Sequence, residues 1–339
     1  MDKVRFGRTG LMVSKIAFGA IPIQRLAFDD AVNVVRGAIN LGINFIDTAN
    51  GYSDSEEKIG AAIKGMPRDN LVIATKSRAL DKKGFLEHID LSLKRLGTDY
   101  IDIYQLHGVS SPEHADAVFG EDGAYQGLTE AIRAGKVRHP GFTSHSVRIA
   151  AGIMREGKFA SVQLPFNFID TEALDAAIPL ARELDMGFIA MKPLGGGLLS
   201  DAGLAFRYLA QFDGIVPDPG IEKLSEIEEI VQIAAKGDPF SADDAAAVER
   251  VKADMGSRWC HRCEYCRPCP QNISVSLALC LDSFLKRMPL PGVVNMVGQA
   301  MEAARGCTGC RACVERCPYK LDVPALLREK LATWDEVRK

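Results

Sequence analysis

Several features that would place this chain in common classes of protein are missing from its sequence. The 339 residues carry a formal net charge of only −3, which gives no electrostatic reason to expect nucleic acid as a partner. No apolar stretch is long and uncharged enough to span a bilayer. The first residues, 1–6, do not resemble a secretory signal, which makes disulfides improbable. Thiolate ligands of the kind predicted below imply a reducing compartment, with the cytoplasm as the default.

The sequence also lacks the Gly-x-Gly-x-x-Gly run that opens a Rossmann fold, because its first strand reads Ile16-Ala-Phe-Gly-Ala20. A repeated unit of amphipathic helix, glycine and short apolar strand is present instead. Residues 29–41 show the helix of one such unit, which Asp29 or Asp30 can cap and which Gly42 ends.

About eight strand candidates alternate with these helices, which predicts a parallel sheet covered on both faces. They begin near residues 16, 43, 71, 101, 138, 160, 187 and 214. Eight strands favour a closed (β/α)8 TIM barrel over an open doubly wound sheet, which is the alternative. We therefore expect an α/β fold with a barrel and its closing helices over residues 1–256, followed by a small α-helical, ferredoxin-like domain over residues 257–339.

Eight of the nine cysteines lie in two runs, residues 260–269 and 307–317, and each run ends in Cys-Pro. The second run has the spacing Cys-x2-Cys-x2-Cys-x3-Cys-Pro, which is typical of [4Fe–4S] clusters whose fourth ligand comes from the other run. The predicted ligands of one cluster are Cys260, Cys263, Cys266 and Cys317, and those of the other are Cys307, Cys310, Cys313 and Cys269.

Other interpretations of these cysteines are weaker. The first run is one residue shorter before its last cysteine, which tempers the prediction for that cluster. Zinc sites also use Cys-x2-Cys pairs, but usually as two separated pairs and not as three evenly spaced cysteines before Cys-Pro. Disulfides do not suit a reducing compartment. Cys280 stands apart in an apolar stretch, where we expect a buried cysteine.

Four polar residues follow the strands at the edge where TIM barrels carry their chemistry. Asp47, Lys76 and His107 come at the ends of the second, third and fourth predicted strands, and Tyr52 lies in the loop beyond Asp47. We expect Lys76, paired with Asp47, to lower the pKa of Tyr52, and His107 to orient a carbonyl oxygen. Each residue alone has an ordinary structural explanation, but the four together predict a proton-transfer site.

Short motifs scattered over roughly residues 3–235 support this prediction. They are Phe6–Ser14, Phe45–Ala49, Ala74–Lys76, Tyr104–His107, Gly135–Ser144, Val162–Asn167 and Met191–Gly195. Together they resemble the aldo/keto reductases, and with the cysteine-rich tail the chain resembles the iron–sulfur branch of that family. In that branch, Cys-x2-Cys-x2-Cys-x-Pro-Cys-Pro is the expected form of the shorter run.

The resemblance implies a catalytic tetrad in which Tyr52 protonates a carbonyl while a nicotinamide cofactor, NAD(H) or NADP(H), delivers hydride. It also implies a set of residues that bind this cofactor: Thr143, Ser144, Gln163, Met191 and Leu194. Met191 stands where many relatives present a tyrosine that stacks on the nicotinamide. Lys192 and His145 stand where relatives often carry Ser and Phe. Each residue could contact an anionic group of the substrate or cofactor, and the alternative is a surface or packing role.

The loop expected to meet the 2′-phosphate of NADP offers Glu222 and Glu226, with Lys223 as its only cation. Because carboxylates repel a phosphate, we expect NAD(H) to bind at least as tightly as NADP(H).

The two parts of the chain suggest different electron chemistry, since hydride transfer moves two electrons and [4Fe–4S] clusters move one at a time. No flavin-binding motif is evident, and flavin stays open as a cofactor. The leading hypothesis is a nicotinamide-dependent carbonyl or alcohol oxidoreductase with an attached iron–sulfur module. One alternative is an electron-transfer protein that uses the barrel to dock a ferredoxin or flavoprotein. Another is an ordinary reductase in which the clusters are structural.

Overall fold

The structure is a computed structural model that describes residues 1–339. Ten strands are present, of which the first two form an antiparallel hairpin and the other eight form one parallel sheet. The strands are β1 (Lys3–Arg5), β2 (Met12–Ser14), β3 (Phe18–Gly19), β4 (Phe45–Asp47), β5 (Val72–Ser77), β6 (Ile101–Leu106), β7 (Val137–Thr143), β8 (Ser161–Pro165), β9 (Gly187–Met191) and β10 (Ile215–Asp218).

The parallel sheet closes on itself. Neighbouring strands pair in sequence order from β3 to β10, and a parallel bridge between Gly19 and Gly220 joins the two ends. Backbone hydrogen bonds support this closure, since Gly19 N donates to Pro219 O and Ile221 N donates to Gly19 O. The predicted (β/α)8 barrel is thus confirmed, and the open doubly wound sheet is excluded.

Fifteen α-helices accompany the strands. They are α1 (Phe28–Asn40), α2 (Ser55–Ile63), α3 (Lys82–Leu96), α4 (Pro112–Phe119), α5 (Ala124–Arg133), α6 (Val147–Arg155), α7 (Ala177–Glu183), α8 (Ala202–Leu209), α9 (Leu224–Lys236), α10 (Ala242–Met255), α11 (Val275–Leu279), α12 (Leu281–Arg287), α13 (Leu290–Ala304), α14 (Ala312–Arg316) and α15 (Val323–Val337). None of them is both long and apolar enough to cross a membrane.

Helix α1 shows how local sequence shapes the outer layer of the barrel. Its buried face carries Ala31, Val32, Val35 and Ala38 at helical spacing. The cap prediction was wrong: the N-cap is Ala27, and Asp29 and Asp30 lie in the first turn without capping the helix. In that turn their charges still favour the positive end of the helix dipole.

The N-terminal hairpin covers one end of the barrel. Phe6, which follows β1, packs edge-on against Phe45 of β4 with ring centroids 5.2 Å apart. Its ring also lies against Gly187, where a Cβ atom would come within 2.3 Å of it. Glycine is therefore required at the start of β9, and the opposite end of the barrel stays open for a site.

The C-terminal part forms a second core. Eighteen buried residues make up this core, contributed mainly by α11, α12, α13 and α15, with Trp334 fully buried. Helix α10 ends at Met255, while Trp259 still packs against the barrel through Phe168 and Leu199. The boundary at residues 256 and 257 stays a prediction, because side chains on both sides of it contact the barrel.

Candidate active site and cysteine-lined cavities

The four residues predicted as a tetrad line one cavity at the open end of the barrel. Asp47 is the last residue of β4, Lys76 lies near the end of β5, and His107 follows β6. Tyr52 comes from the loop between β4 and α2. All four border a cavity of about 330 Å³, together with residues from the C-terminal domain. Parallel strands bring their carboxyl ends to this face, which explains the convergence.

Asp47 and Lys76 form a buried ion pair at the base of the cavity. Each residue is 3% exposed, and Lys76 Nζ donates to Asp47 Oδ2 and also to Thr48 O, the latter at 2.7 Å. Burial has the largest single effect and lowers the pKa of Lys76, but Asp47, Tyr52 and Asp218 together outweigh it, so the net effect is a raised pKa. Lys76 is therefore a permanent cation at this position.

Two amides and a second carboxyl group surround Asp47. Gln105 Nε2 donates to Asp47 Oδ1 at 3.1 Å, and Gln163 Nε2 donates to both Asp47 and Asp218. Burial and the neighbouring Asp47 carboxylate raise the pKa of Asp218 well above its usual range. Asp218 Oδ1 is buried and has no hydrogen-bond partner, which fits a protonated carboxyl group. Asp218 was not predicted from the sequence, although its place at the end of β10 is a usable signal.

Tyr52 and His107 stand side by side above the ion pair. Their ring centroids are 6.1 Å apart with the planes at 82°, and Lys76 Nζ lies 5.2 Å from the centroid of Tyr52. Burial, with Arg78 and Lys76 nearby, lowers the pKa of His107 well below its usual value. The imidazole is therefore neutral at pH 7, so one ring nitrogen can donate a hydrogen bond. A phenol beside a buried cation and a neutral imidazole can protonate a carbonyl oxygen.

Four of the five residues predicted to bind the cofactor border the cavity, and the fifth does not. Thr143, Gln163, Met191 and Leu194 line the same cavity as the tetrad. Ser144 is fully buried, and its hydroxyl donates to the Ser146 carbonyl at 3.1 Å, so it does not border the cavity.

The loop predicted to oppose a 2′-phosphate is also at this face. Glu226 Oε2 accepts hydrogen bonds from the backbone amides of Glu222 and Lys223, so its carboxylate holds the start of α9. Glu222 Oε1 lies 3.4 Å from Arg25 Nε. Both carboxylates border the cavity, and Lys223 does not.

The eight cysteines of the two runs gather in two small cavities of the C-terminal domain. Cys260, Cys263, Cys266 and Cys317 line one cavity. Cys269, Cys307, Cys310 and Cys313 line the other. Each run therefore sends its fourth cysteine to the cavity of the other run, which is the grouping that the spacing predicts.

The surroundings of these thiols fit an iron–sulfur cluster. Each cavity offers four cysteines among mainly apolar neighbours such as Ile273, Val275 and Leu279, and four thiolates are the ligand set of a [4Fe–4S] cluster. No group of three or more Cys, His, Asp or Glu residues is arranged around a point where a single metal ion would bind. The donor set and the crossed grouping of the two runs fit the predicted [4Fe–4S] ligand sets.

The expectation for Cys280 was wrong in one respect. The residue is only partly buried, and it packs on the second core, as Cys260 does. It lines neither of the two four-cysteine cavities. That both cysteines pack on this core was not predictable from the sequence. Helix α11 lies between them in the chain, and they come to the same core only through the packing of its helices.

Comparison with known proteins assigns both parts of the chain. Residues 15–204 match the profile of the Aldo/keto reductase family, and residues 259–322 match that of a 4Fe-4S dicluster domain. The chain is similar to the L-galactose dehydrogenase of Arabidopsis thaliana, with 33% identity over 217 residues, covering 58% of this chain and 66% of that protein. It is also similar to the aldo-keto reductase YhdN of Bacillus subtilis (strain 168), with 29% identity, covering 59% of this chain and 64% of that protein. The chain thus spans less than two thirds of the length of these relatives.

Among solved structures, an aldo-keto reductase from Bacillus halodurans in its holo form has a TM-score of 0.63 to this chain. The two are 23% identical, and the match covers 74% of this chain and 96% of that one. At this identity the likeness supports the fold alone, which is the same barrel.

Proposed function

Because the chain belongs to the aldo/keto reductase family and carries a 4Fe-4S dicluster domain, we propose that it is a nicotinamide-dependent oxidoreductase that interconverts a carbonyl compound and an alcohol. The observation that carries this proposal is the convergence of Asp47, Tyr52, Lys76 and His107 on one cavity. None of these residues is adjacent in sequence to another, so the barrel brings them together.

The residues divide the work of proton transfer. Tyr52 donates its phenolic proton to the carbonyl oxygen as the oxygen gains charge, and the Lys76 cation stabilises the phenolate that remains. Asp47 keeps Lys76 in place, and the neutral His107 donates a hydrogen bond to the same oxygen. A bound nicotinamide supplies the hydride that completes the reduction. Thr143, Gln163, Met191 and Leu194 are the side chains available to hold it at the cavity.

We further propose two [4Fe–4S] clusters, one in each four-cysteine cavity. Such clusters exchange electrons singly when bound. Thiolate ligands of this kind need a reducing environment, and the cytoplasm meets that need. The electron partner is a ferredoxin or a flavoprotein if the clusters take part in turnover.

The proposal is tested by Tyr52→Phe, which removes the proton donor and leaves the ring in place. Anaerobically purified protein should reduce carbonyl substrates with NADH or NADPH without an added electron mediator. The rate should fall by about 100-fold or more in Tyr52→Phe, while nucleotide affinity changes little. Tyr125→Phe is the matched control, because Tyr125 lies on α5 outside the cavity.

The outcomes separate the hypotheses. Full turnover in Tyr52→Phe would place the barrel chemistry at other residues. Activity that appears only with ferredoxin or a viologen dye would favour the electron-transfer alternative. A third outcome is turnover that needs no mediator and also continues when one-electron redox cycling of the clusters is blocked. That result would favour structural clusters.

A further inference from the structure

Three arginines at the mouth of the active-site cavity have no acidic partner. Arg78 follows β5, Arg262 lies between the first two cysteines of the shorter run, and Arg287 ends α12. We call them the arginine cluster. All three border the cavity that contains the tetrad, and two of them come from the C-terminal domain. The active-site cavity is therefore completed across the domain boundary.

The hydrogen bonds of these guanidinium groups go to neutral atoms. Arg262 Nη1 lies 3.1 Å from His145 Nε2, Arg287 Nε donates to the Ser283 carbonyl at 2.8 Å, and Arg78 Nη1 contacts the sulfur of Met296 at 3.6 Å. In addition, Arg262 Nε is buried and has no partner at all. A buried donor of this kind is costly unless a ligand satisfies it.

The position of two of these arginines is fixed by an aromatic side chain. The guanidinium carbons of Arg262 and Arg287 lie 5.7 Å and 5.5 Å from the ring centroid of Phe284. Arginine stacks readily on aromatic rings, and this contact orients the remaining N–H groups without using their hydrogen bonds. The cluster is thus pre-organised and still has free donors.

Five acidic residues border the cavity, and two of them, Asp218 and Glu229, form no ion pair with the arginine cluster. The other three are occupied elsewhere. Asp47 pairs with Lys76, Glu222 with Arg25, and Glu226 with backbone amides of α9. Three fixed positive charges therefore gather without a counter-ion, and they repel one another. Such an arrangement is stabilised when an oxyanion binds, because a carboxylate or phosphate can accept several of these N–H groups at once.

The cluster also lies beside the reacting groups. Burial lowers the pKa of Arg78 and of Arg287, and in both cases Tyr52 is close enough to oppose that effect. The Arg78 residue is also exposed to solvent, so a ligand can reach it. Arg262 is near enough to His107 to help lower the pKa of that histidine. An anion held here would stand next to the carbonyl that Tyr52 and His107 contact.

We propose that the arginine cluster binds the acidic group of the substrate, so that the enzyme acts on carbonyl compounds that carry a carboxylate or phosphate close to the reacting carbon. This inference rests on the proposed function, since it names the substrate class of the same site. The other possible source of the oxyanion is the dinucleotide itself, through its phosphates. The position beside Tyr52 favours the substrate, because Tyr52 is the residue that the proposed function assigns to the reacting carbonyl.

Direct binding of oxalate, a small dicarboxylate probe, tests the inference without relying on turnover. The holoprotein is titrated by calorimetry under anaerobic conditions, with and without saturating NAD. Oxalate should bind, and Arg287→Met and Arg78→Met should each weaken it about tenfold or more. Arg305→Met is the matched control, since it removes the same charge from an exposed arginine paired with Asp335. Iron content and circular dichroism confirm that each variant is folded and loaded.

Two further measurements identify the source of the oxyanion. Affinity for NADH, followed by fluorescence, should change less than twofold in Arg287→Met and Arg78→Met. If the protein is a reductase, pyruvate should be preferred to methyl pyruvate in kcat/KM, and the variants should reduce that preference about tenfold.

Three results would overturn the inference. One is the absence of oxalate binding to the unmodified protein, and another is binding that the variants leave unchanged. The third is a loss of NADH affinity without loss of oxalate affinity, which would assign the arginines to the dinucleotide phosphates. If oxalate binds as expected but Tyr52→Phe reduces carbonyls at the full rate, the proposed function fails while the anion site stands.

Discussion

Replacing Lys76 with methionine is the most severe test of the buried ion pair. The substitution keeps much of the aliphatic volume and removes the only cation that contacts Asp47. Asp47 would retain the amides of Gln105 and Gln163, at 3.1 and 3.3 Å, but not a compensating charge. Its carboxylate, 3% exposed, would also still face the carboxyl group of Asp218.

The expected cost follows from this geometry. Breaking a buried pair by removing one partner typically destabilises a protein by about 3–5 kcal/mol. At about 2–4 °C per kcal/mol for a domain of this size, Lys76→Met should lower the Tm by about 6–20 °C. Carbonyl reduction should also be lost, since no cation remains to stabilise the phenolate of Tyr52.

A double-mutant cycle measures the effect by anaerobic thermal denaturation. Asp47→Asn removes the stranded charge, so Lys76→Met combined with Asp47→Asn should be more stable than the sum of the two single effects implies, by about 0.5–3 kcal/mol. Lys82→Met is the control, because the pair of Lys82 with Glu130 is exposed and should contribute within about 1 kcal/mol. Additive effects within about 0.5 kcal/mol would refute the description of Asp47 and Lys76 as a coupled pair.

Three further predictions concern the clusters, the dinucleotide and pH. Cys317→Ala should lower the iron content from about eight to about four atoms per chain. Cys280→Ala is the control and should leave about eight. An unchanged iron content in Cys317→Ala would contradict the crossed ligand sets. NADH should bind at least as tightly as NADPH. Glu226→Gln keeps an oxygen for the backbone amides of Glu222 and Lys223, and it should favour NADPH relative to the parent. Clearly tighter NADPH binding by the unmodified protein would show that this loop meets a different part of the cofactor. Burial lowers the pKa of His107, so the unfolded chain binds more protons and stability should fall, as pH drops below about 6.5, by up to about 1.4 kcal/mol per pH unit. Thermal denaturation at several pH values should show a shallower decline for His107→Gln, and an identical slope would contradict the burial of a neutral imidazole.

The barrel was predictable because its signals are local. Glycines after helices and apolar strands at regular spacing gave strand starts within about two residues of those observed, for example 101 for β6 and 187 for β9. The exact residues at which helices begin and end were less predictable, because several neighbouring residues can cap a helix. Helix α1 begins at Phe28 without a side-chain cap, although two aspartates follow at once. In the second core, the chain breaks its helix at Cys280, where α11 ends and α12 begins.

The candidate site was predictable in part, and the division has a physical reason. Residues at strand ends, such as Asp47 and Lys76, are placed by the barrel itself, so their position in sequence predicts their position in space. The spacing of cysteines likewise predicts which of them share a cavity, because the chain must wrap one cluster tightly. Arg262 and Arg287 follow no such rule. Their place at the mouth of the barrel depends on how the second core docks, and neither residue stands out in its own segment.

The position of Arg262 bears on the mismatch between two-electron and one-electron chemistry. This arginine lies between Cys260 and Cys263, with a left-handed backbone at φ 59°, so the loop that would wrap the first cluster also aims its side chain into the active-site cavity. A cluster bound by Cys260 and Cys263 would order this loop and therefore one wall of the cavity. This holds whether or not electrons pass between the cluster and the cavity. On this view an iron–sulfur domain can be essential to a hydride-transfer enzyme through geometry alone. Dependence of activity on the clusters is therefore expected whether or not electrons pass between them and the barrel.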